Sequence, residues 1–462
     1  MKKFVAYILI VFCLLLCSCS NNVSTVVDSR CFSNDLGDIT VTTHEDDNVS
    51  IRTYTYEDLT STRVEMYRVK GIKADEFDFY IGDNAIIRVA SPEGGFNAYS
   101  LLDDIPQSSC YYIDSDNYHY WIYMPKTYKL LKNHSLKYIP QSDGKLKVYS
   151  NHFVIDTQNI GLSQVSDFMI IESSNPLFDW GKKDLKVENF MKYYNLDSDG
   201  HWCFDGYYFP AAETYEPHGD NVLYFCVDSY IIKSFNAGTR YNGCKLILPA
   251  MIDTMLMHQN EWGYLPTYSK SIWLLEDYGI DAGFYDTRFN TDFFDIVINA
   301  NEIYRSDEIK NAIKKYAYFY LDHAKNKQIN VGDGYFVADY YNPECGKLTH
   351  ASLNHNLAEL ELCFKFYDLF EDEEFLNIAS SILKAIDDTK ELWIMADNNL
   401  EYAILPDMSF GYDDYPYLTY NDLYDTQNML EDRGLGRSEA LDYLMEAKKL
   451  WMDSQGINAY KQ

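Results

Sequence analysis

The C-terminal part of the chain repeats one pattern, in which an asparagine directly precedes a run of apolar residues with helical spacing. The asparagines are Asn290, Asn354 and Asn421, which lie 64 and 67 residues apart. An interval of this length holds two helices and their loops, so the pattern predicts stacked helical hairpins. We expect the hairpins to form an α/α toroid in which the asparagines cap the inner helices and the preceding loops meet at a central cleft.

The first residues have the composition of a bacterial export signal. Two lysines precede an almost unbroken apolar run, and Leu16 and Ser18 stand at the positions before Cys19 that a lipoprotein signal requires. We therefore expect a signal peptide at 1–18, a lipid on Cys19 and a polar tether at 19–37. These features would anchor the protein in the cell membrane, facing outside the cytoplasm. A plain secretory signal or an uncleaved anchor is the alternative.

Charge and composition exclude several classes of partner. The chain has 70 acidic and 39 basic side chains, a formal net charge of −31, which argues against nucleic acid and against adhesion to anionic lipid headgroups. It has neither a glycine-rich phosphate loop nor a Cys-x-x-Cys pair, so we expect no nucleotide, cofactor or metal site, with calcium in the Asp-rich loops left open. The seven cysteines after Cys19 indicate scattered thiols, or at most one disulfide.

The chain divides into a β-rich part and a helical part. Short β-branched or aromatic runs separated by turn residues predict a β-rich domain at 38–170, and a Gly-, Pro- and aromatic-rich transitional segment occupies 171–222. Helical periodicity then predicts the toroid at 223–462. The predicted fold class is therefore α+β, with an N-terminal β-rich domain followed by an α/α toroid of helical hairpin repeats.

Three loops before the inner helices carry the chemically active side chains. They cover residues 283–290, 339–355 and 413–422 and are dense in Tyr, Asp, Asn and His. Because inner helices of stacked hairpins begin at the same end, we expect these loops to share one mouth. Aromatic residues make up 16% of the chain, which suits a protein that stacks rings on sugar faces.

Five motifs follow one another along residues 225 to 455. They are Phe284-Tyr285 through Asn290, Tyr341 to Pro343 followed by Leu353-Asn354, Tyr367-Asp368-Leu369, Tyr402 to Leu405, and Asp414-Tyr415-Pro416 through Leu423. In this order and spacing they resemble the C-terminal domain of D-glucuronyl C5-epimerases. The resemblance implies an isomerase that acts on uronic-acid residues of a polysaccharide and converts D-glucuronosyl into L-iduronosyl units.

The resemblance also implies which residues perform the reaction. The family tyrosines carry over to Tyr341, Tyr402 and Tyr415, with Tyr340 as the alternative to Tyr341. One group removes the C5 proton from one face of the sugar and another returns a proton to the opposite face. A tyrosine, with a reference pKa near 10, acts as the base only where cations lower that pKa.

The chain departs from the family pattern at three positions. Leu405 stands where the family has Arg, and Pro416 and Thr419 stand where it has His. The candidate substrate-binding residues are Tyr285, Arg288, Asn290, His350, Asn354, His355 and Asn421. The arginine and the two histidines among them are expected to supply the missing positive charge. Each also has a structural alternative, as an ion pair, a packed histidine or a helix cap.

Two other functions remain open from the sequence. A glycoside hydrolase would need two carboxylates, for which Asp413 and Asp414 are the candidates, and a polysaccharide lyase would share the C5 proton abstraction. A non-catalytic glycan-binding lipoprotein is the third possibility. The acidic balance favours an unsulfated, heparosan-like or sparsely charged glycan over a densely sulfated one.

Overall fold

The computed structural model describes residues 25–71, 74–82, 84–91, 93, 95–181, 200–228 and 230–461. The expected signal peptide, Cys19 and the first residues of the tether lie outside the described residues. Within the described ranges, no helix is both long and apolar enough to cross a membrane.

The strands are mostly in the first half of the chain. They are β1 (Thr25–Asn34), β2 (Gly37–Glu45), β3 (Val49–Tyr56), β4 (Arg63–Lys70), β5 (Glu76–Tyr80), β6 (Ile86–Ala90), β7 (Phe96–Ser100), β8 (Cys110–Asp114), β9 (His119–Leu130), β10 (Ser135–Tyr138), β11 (Lys145–Val148), β12 (His152–Asp156), β13 (Gln164–Ser173), β14 (His201–Cys203), β15 (Gly206–Pro210), β16 (Tyr215–Glu216), β17 (Val222–Phe225), β18 (Lys270–Ser271), β19 (Tyr285–Asp286), β20 (Gln328–Val331), β21 (Gly334–Val337), β22 (Tyr340–Tyr341), β23 (Ala351–Ser352), β24 (Glu401–Ile404) and β25 (Phe410–Asp413).

One antiparallel sheet dominates the β-rich part. Ten of its 13 strands follow the order β1-β2-β3-β4-β13-β9-β10-β17-β15-β14, and β6, β7 and β8 extend it beside β9. Strand β3 shows why it forms, because its residues alternate between buried and half-buried positions along its whole length. A small sheet, β11-β12-β5, packs on one face of the large sheet through a core that includes Phe153, Ile122 and Phe168.

The helices follow the sheet in the chain. They are α1 (Tyr230–Ala237), α2 (Asn242–Leu256), α3 (Ile272–Tyr278), α4 (Thr287–Tyr304), α5 (Asp307–Asn326), α6 (Leu353–Phe370), α7 (Glu373–Thr389), α8 (Leu418–Asp432) and α9 (Glu439–Ser454).

Eight of these helices form four hairpins in a row. The first helices of the hairpins, α1, α4, α6 and α8, pack against one another in that order, while α5, α7 and α9 lie side by side behind them. Amphipathic spacing explains the pairing, since α7 buries Phe375, Ile378, Ile382 and Ile386 on one face only.

Helix α2 connects the hairpins to the large sheet. It is buried on almost every side and packs against β4, β13 and β15. Tyr54 of β3 donates a hydrogen bond to Asp253 of α2 at 2.8 Å, and Arg30 of β1 forms an ion pair with the same carboxylate. One hydrophobic core consequently extends from Phe32 in β1 to Met452 in α9.

The predicted fold class, a separate β-rich domain followed by an α/α toroid, is wrong. The sheet continues to Phe225 instead of ending at residue 170, and the described helices make four hairpins that share a core with it. The physical reason is α2, whose nearly uniform apolar surface needs the sheet as its partner. The order of a β-rich part before a helical part does agree with the sequence.

Two predicted boundaries also differ from the structure. Residues 25–34, expected to belong to the tether at 19–37, form the edge strand β1 of the large sheet. The segment 171–222, expected to be transitional, contributes the end of β13 and, among its described residues, strands β14 to β16. Strands β14 and β15 complete the large sheet, and β16 pairs with β18 in a separate two-stranded sheet.

The asparagine repeat is present, but at a shifted register and with another role. Asn290, Asn356 and Asn421 are each the fourth residue of an inner helix, and none is the N-cap. The Asn290 side chain accepts a hydrogen bond from the backbone N–H of Leu265 at 2.8 Å and donates one to its carbonyl at 3.0 Å. Asn356 holds Val337 in the same way, at 2.8 and 3.1 Å.

These amides fasten extended segments to the inner helices, so their loss should destabilise the fold. We expect Asn290→Ala and Asn356→Ala each to lower the free energy of unfolding by about 2 to 4 kcal/mol, because a buried peptide loses both its partners. Asn421, whose side chain among the described residues accepts a single hydrogen bond, from the N–H of Lys461, is the control and should cost less than about 1 kcal/mol on change to Ala. Urea denaturation measures all three, and equal losses would contradict this assignment.

Candidate functional site

Asp339 joins the starts of two inner helices. Its carbonyl accepts a hydrogen bond from the N–H of Thr287, the first residue of α4, at 2.9 Å. Its carboxylate accepts from the N–H and the hydroxyl of Ser352, at 2.9 and 2.6 Å. Because Ser352 is the N-cap of α6, Asp339 brings the residues before α4 and α6 to one place.

Aromatic rings surround His350 at this place. The ring centroids of Trp273, Tyr278, Tyr340, Tyr402 and Tyr412 lie 5.4, 5.7, 5.5, 5.9 and 6.3 Å from that of His350, in the order given. Tyr415 continues the group, with its ring 5.7 Å from that of Tyr402 and edge-on to it.

We call this group, together with Asp286 and Asp339, the tyrosine basin. Its floor is buried, while Tyr412 and Tyr415 are exposed to solvent. A ligand therefore has access from the side of these two rings, and the arrangement suits a sugar, whose apolar face stacks on aromatic rings.

Asp286 is the titratable group best placed for chemistry in the basin. It is the N-cap of α4 and accepts a hydrogen bond from the N–H of Phe289 at 3.0 Å. Burial raises the pKa of its carboxyl to about 7, although the hydrogen bonds that it accepts from backbone N–H groups act to lower that pKa. Its charge also raises the pKa of Tyr340, Tyr402 and Tyr415. Asp286 thus faces the tyrosines and exchanges its proton near neutral pH.

Tyr402 and Tyr415 of the basin keep their protons. Burial raises the pKa of Tyr402 well above its usual value, and Asp339 raises it further. Burial and then Asp286 raise the pKa of Tyr415, while Arg288 opposes them only weakly. The expectation that cations lower these pKa values differs from the structure, because burial and the charges of Asp286 and Asp339 raise them. The phenols are therefore proton donors.

His350 and His355 are buried and neutral. Burial lowers the pKa of His350 to about 4, and lowers that of His355 well below its usual value. His350 meets the hydroxyl of Tyr278 at 3.0 Å through Nδ1, and its Nε2 lies 3.4 Å from Asp339. The Nδ1 atom of His355 lies within hydrogen-bond distance of the Thr287 hydroxyl, at 2.8 Å. Both histidines hold the base of the basin together and do not supply the positive charge expected from the sequence.

Arg288 connects three inner helices instead of facing a ligand. It pairs with Asp292 of its own helix at 2.8 Å, with Asp422 of α8 at 2.7 Å, and with the carbonyl of Asn354 in α6 at 2.9 Å. Two carboxylates therefore match its charge. Burial outweighs Arg288 at one of them and raises the pKa of Asp422 to about 6.

Tyr341 and Tyr285 lie away from the basin. Strands β19 and β22 pair Tyr285 with Tyr341 and Asp286 with Tyr340. Because successive strand residues point to opposite faces, Tyr340 and Asp286 face the basin while the other pair faces the helices behind it. Tyr285 meets the hydroxyl of Tyr316 at 3.0 Å, and Lys327 lies over the Tyr341 ring. Tyr340 accordingly replaces Tyr341 as the tyrosine contributed by this strand.

Two of the candidate asparagines bind structural partners through their side chains. Asn290 holds the Leu265 peptide and Asn421 binds the backbone at Lys461. Arg288 bonds only the backbone carbonyl of Asn354, whose buried side-chain oxygen has no hydrogen-bond partner among the described residues. Of the residues predicted from the sequence, the structure therefore brings Tyr402, Tyr415 and His350 together in the basin, with His355 beneath them.

A buried lysine fixes the loop that carries Tyr415. Lys448 of α9 is fully buried and lies 2.7 Å from Asp414, 2.7 Å from the carbonyl of Tyr415 and 2.7 Å from the side chain of Asn399. Asp414 also accepts from Thr419 at 2.5 Å. Both interactions of Asp414 therefore stabilise the loop. Asp413 is exposed at the end of β25. This pair consequently does not form a hydrolase site.

Sequence reasoning missed several residues of the site. Asp286 and Asp339 lay in the predicted loops but were given no role, and Trp273, Tyr215 and Lys448 were not considered. The one available signal was position, since Asp286 stands directly before a helical run, where an acidic N-cap is favoured. Among the described residues, no group of three or more His, Cys, Asp or Glu is placed to hold a metal ion.

No family model and no curated protein matches the chain. Solved structures with a partial likeness include a cellobiose 2-epimerase from Spirochaeta thermophila, with 11% identity, coverage of 48% of this chain and 51% of that chain, and a TM-score of 0.33. A D-mannose isomerase has 14% identity, coverage of 49% and 57%, and a TM-score of 0.36. A family 76 glycoside hydrolase from a bovine Bacteroides thetaiotaomicron strain has 9% identity, coverage of 86% and 76%, and a TM-score of 0.41.

These neighbours are sugar epimerases, sugar isomerases and glycoside hydrolases. The chain spans only 51% and 57% of the length of the first two. D-glucuronyl C5-epimerases are not among the neighbours described here. Likenesses at this level of identity and superposition do not establish a family or an activity for the chain.

Lys448 gives the first prediction from the site. Replacing it with Met leaves Asp414 buried without its partner, and we expect the free energy of unfolding to fall by about 3 to 5 kcal/mol. The double variant Lys448→Met, Asp414→Leu removes both charges and should recover most of that loss. A double-mutant cycle in urea measures the coupling, and additive losses would contradict the buried pair.

Glu359 gives a pH-dependent prediction. It is fully buried beneath the basin, accepts from the hydroxyl of Tyr320 at 2.9 Å, and burial raises its pKa to about 8. The unfolded chain releases this proton at lower pH than the folded one, so the contribution of Glu359 to stability decreases as pH rises from about 4.5 to about 8.

Glu359→Gln removes that ionisation while keeping the shape of the side chain. We expect the variant to lose less stability than the original protein between pH 5 and pH 8, by an amount on the order of 3 kcal/mol. Thermal and urea unfolding across this range measure it. The exposed Glu302→Gln is the control, and an unchanged pH profile for Glu359→Gln would contradict the buried, protonated carboxyl.

Proposed function

We propose that this protein is a carbohydrate-processing enzyme that epimerises uronosyl residues at C5 within a polysaccharide. The observation that carries the proposal is the meeting of Asp286 with Tyr402 and Tyr415 in one basin. Burial gives the Asp286 carboxyl a pKa of about 7, while both phenols keep their protons. One group that accepts a proton and two that donate one therefore face the same ligand space.

Proton transfer at C5 accounts for each of these groups. The C5–H bond of the bound uronate breaks, its proton passes to the Asp286 carboxylate, and the bonding electrons move into the adjacent carboxyl group of the sugar. A tyrosine phenol, for which exposed Tyr415 is our choice, then delivers a proton to the opposite face of C5. The neutral phenols also donate hydrogen bonds to the enolate-type oxygen, which stabilises the charge formed at that stage.

The order of motifs along the chain supports the same reaction. The segments containing Tyr402 and Tyr415 resemble those of D-glucuronyl C5-epimerases, and we propose Tyr340, which pairs with Asp286 across the two short strands, as the third tyrosine. The family Arg and His pair are replaced by Leu405, Pro416 and Thr419. In our proposal Asp286 takes the role of base, so the reaction does not depend on a tyrosine with a lowered pKa.

A glycoside hydrolase is the second candidate, because Asp286 and Asp339 are two adjacent carboxyls with raised pKa values. A hydrolase needs both carboxyls in contact with the substrate, on either side of the scissile bond. Asp339 is fully buried and both of its oxygens bind Ser352. Asp339 therefore orients helix α6 and does not face a ligand, which favours the epimerase.

The proposed setting follows from the expected lipid on Cys19. A protein held at the outer side of the membrane would meet cell-surface or environmental polysaccharides, so we propose such a glycan as its substrate. The net charge of −31 favours an unsulfated or sparsely charged uronate polymer.

Variants of the basin test the proposal. Asp286→Asn keeps the helix cap but removes the base, and Tyr415→Phe removes the proton donor. We expect each to lower the turnover of a uronate polysaccharide by at least about 100-fold with folding intact. Tyr417→Phe, an exposed ring on the same loop, is the matched control and should retain activity. The assay follows new epimer signals by NMR across unsulfated glucuronate polymers.

The products separate the alternatives. An unsaturated sugar at the new chain end would identify a lyase, and new reducing ends without unsaturation would identify a hydrolase. Full activity of both Asp286→Asn and Tyr415→Phe would contradict the assigned site. Binding of the polymers without any product would contradict the enzyme and leave a glycan-binding protein.

A further inference from the structure

A stretch without acidic residues interrupts this strongly acidic chain. Residues 117–142 contain neither Asp nor Glu, although the chain as a whole has 70 acidic residues among 462. Lysines stand at 126, 129, 132 and 137 of this stretch, which forms strands β9 and β10 and the turn between them. A local excess of positive charge in such a protein indicates an anionic ligand or partner.

The geometry of the hairpin concentrates this charge. Lys129 and Lys137 stand directly opposite each other on adjacent strands and are both exposed. Like charges at opposed positions destabilise a sheet. Within the part of the chain that the structure describes, neither lysine has an ion-pair partner. The two exposed lysines therefore present positive charges that an anion from outside the chain can bind.

The turn of the hairpin lies beside other cations. Lys270 of β18 forms an ion pair with Glu216 of β16 at 3.0 Å. Lys132 in the turn and His218 lower the pKa of the same carboxyl after the larger effect of Lys270, so all three approach it. The hydroxyl of Ser135, next to the turn, lies 3.4 Å from that of Ser269. Glu216 thus lies near two lysines, Lys270 and Lys132.

This cationic group adjoins the tyrosine basin. Tyr215 pairs with Ser271 and stacks on Tyr224, with the ring centroids 5.1 Å apart. Burial raises the pKa of Tyr215, and the nearby Asp286 and Tyr415 of the basin raise it further. Trp273, which contacts His350, follows Lys270 by three residues. Tyr224 pairs with Ser135, and Lys137 lies two residues farther along the same face of β10.

We propose that Lys129, Lys132, Lys137 and Lys270 form a lysine track that binds the carboxylates of an anionic polysaccharide on one side of the basin. The choice of uronate as the ligand rests on the proposed function. The track explains how a chain with a net charge of −31 binds a polyanion. The lysines attract the carboxylates of the ligand locally, although the net negative charge of the protein repels them.

The test compares two triple variants with the same change in net charge. Lys129→Ser, Lys132→Ser, Lys137→Ser removes the track, and Lys310→Ser, Lys384→Ser, Lys449→Ser removes exposed lysines of the outer helices. Calorimetry measures the binding of heparosan, hyaluronan and polygalacturonate at about 50 and about 300 mM salt. We expect the track variant to bind at least about tenfold more weakly and with less salt dependence, and the control to bind normally.

Further arms separate this inference from the proposed activity. Binding is measured directly, so it is independent of turnover, and Lys→Arg changes at the three track positions should retain it. Equal weakening of both triple variants, or no weakening of either, would overturn the track. So would equally tight binding of neutral dextran, or lysine-dependent binding only to phosphatidylglycerol vesicles. Failure of all three uronate polymers to bind the unaltered protein would also overturn it, whereas binding without turnover would overturn only the proposed function.

Discussion

The site depends on Asp339, whose carboxylate and backbone together connect the starts of α4 and α6. It accepts two hydrogen bonds from Ser352 and one from Thr287, all of them buried. Because the loops before these helices carry Asp286, Tyr340 and His350, fixing the helix starts also fixes the reactive side chains. The side-chain amides of Asn290 and Asn356 do the same for the extended segments at Leu265 and Val337.

Burial sets the protonation of this region. Asp286, Asp422 and Glu359 have raised pKa values, and Arg288, which touches three inner helices, is matched by two of the nearby carboxylates. The basin consequently holds the neutral His350, the protonated phenols of Tyr402 and Tyr415, and the Asp286 carboxyl with a pKa of about 7. Such a set suits proton transfer and ring stacking on a sugar, and in our proposal the lysine track beside it binds the polyanion.

The sequence indicated part of this arrangement. Apolar spacing predicted the helices from α4 onward, and alternation predicted many strands, because both depend on local periodicity. The repeat was assigned to Asn354 instead of Asn356, since two asparagines flank His355 and only the contact with Val337 distinguishes them. Tyr341 and Tyr340 are adjacent, so only strand pairing shows which one faces the basin. The pairing of Lys448 with Asp414, 34 residues apart, leaves no local signal.

The most direct test of the account is the exchange of the C5 proton. The protein would be incubated with heparosan in D₂O, and NMR would follow deuterium at C5 together with the length of the polymer. We expect deuterium to arrive at C5 with L-iduronosyl signals and with the chain length unchanged, because the donor phenol exchanges with solvent before it reprotonates the sugar. A polymer that is bound but gains no deuterium at C5 would contradict proton transfer as the function of the tyrosine basin.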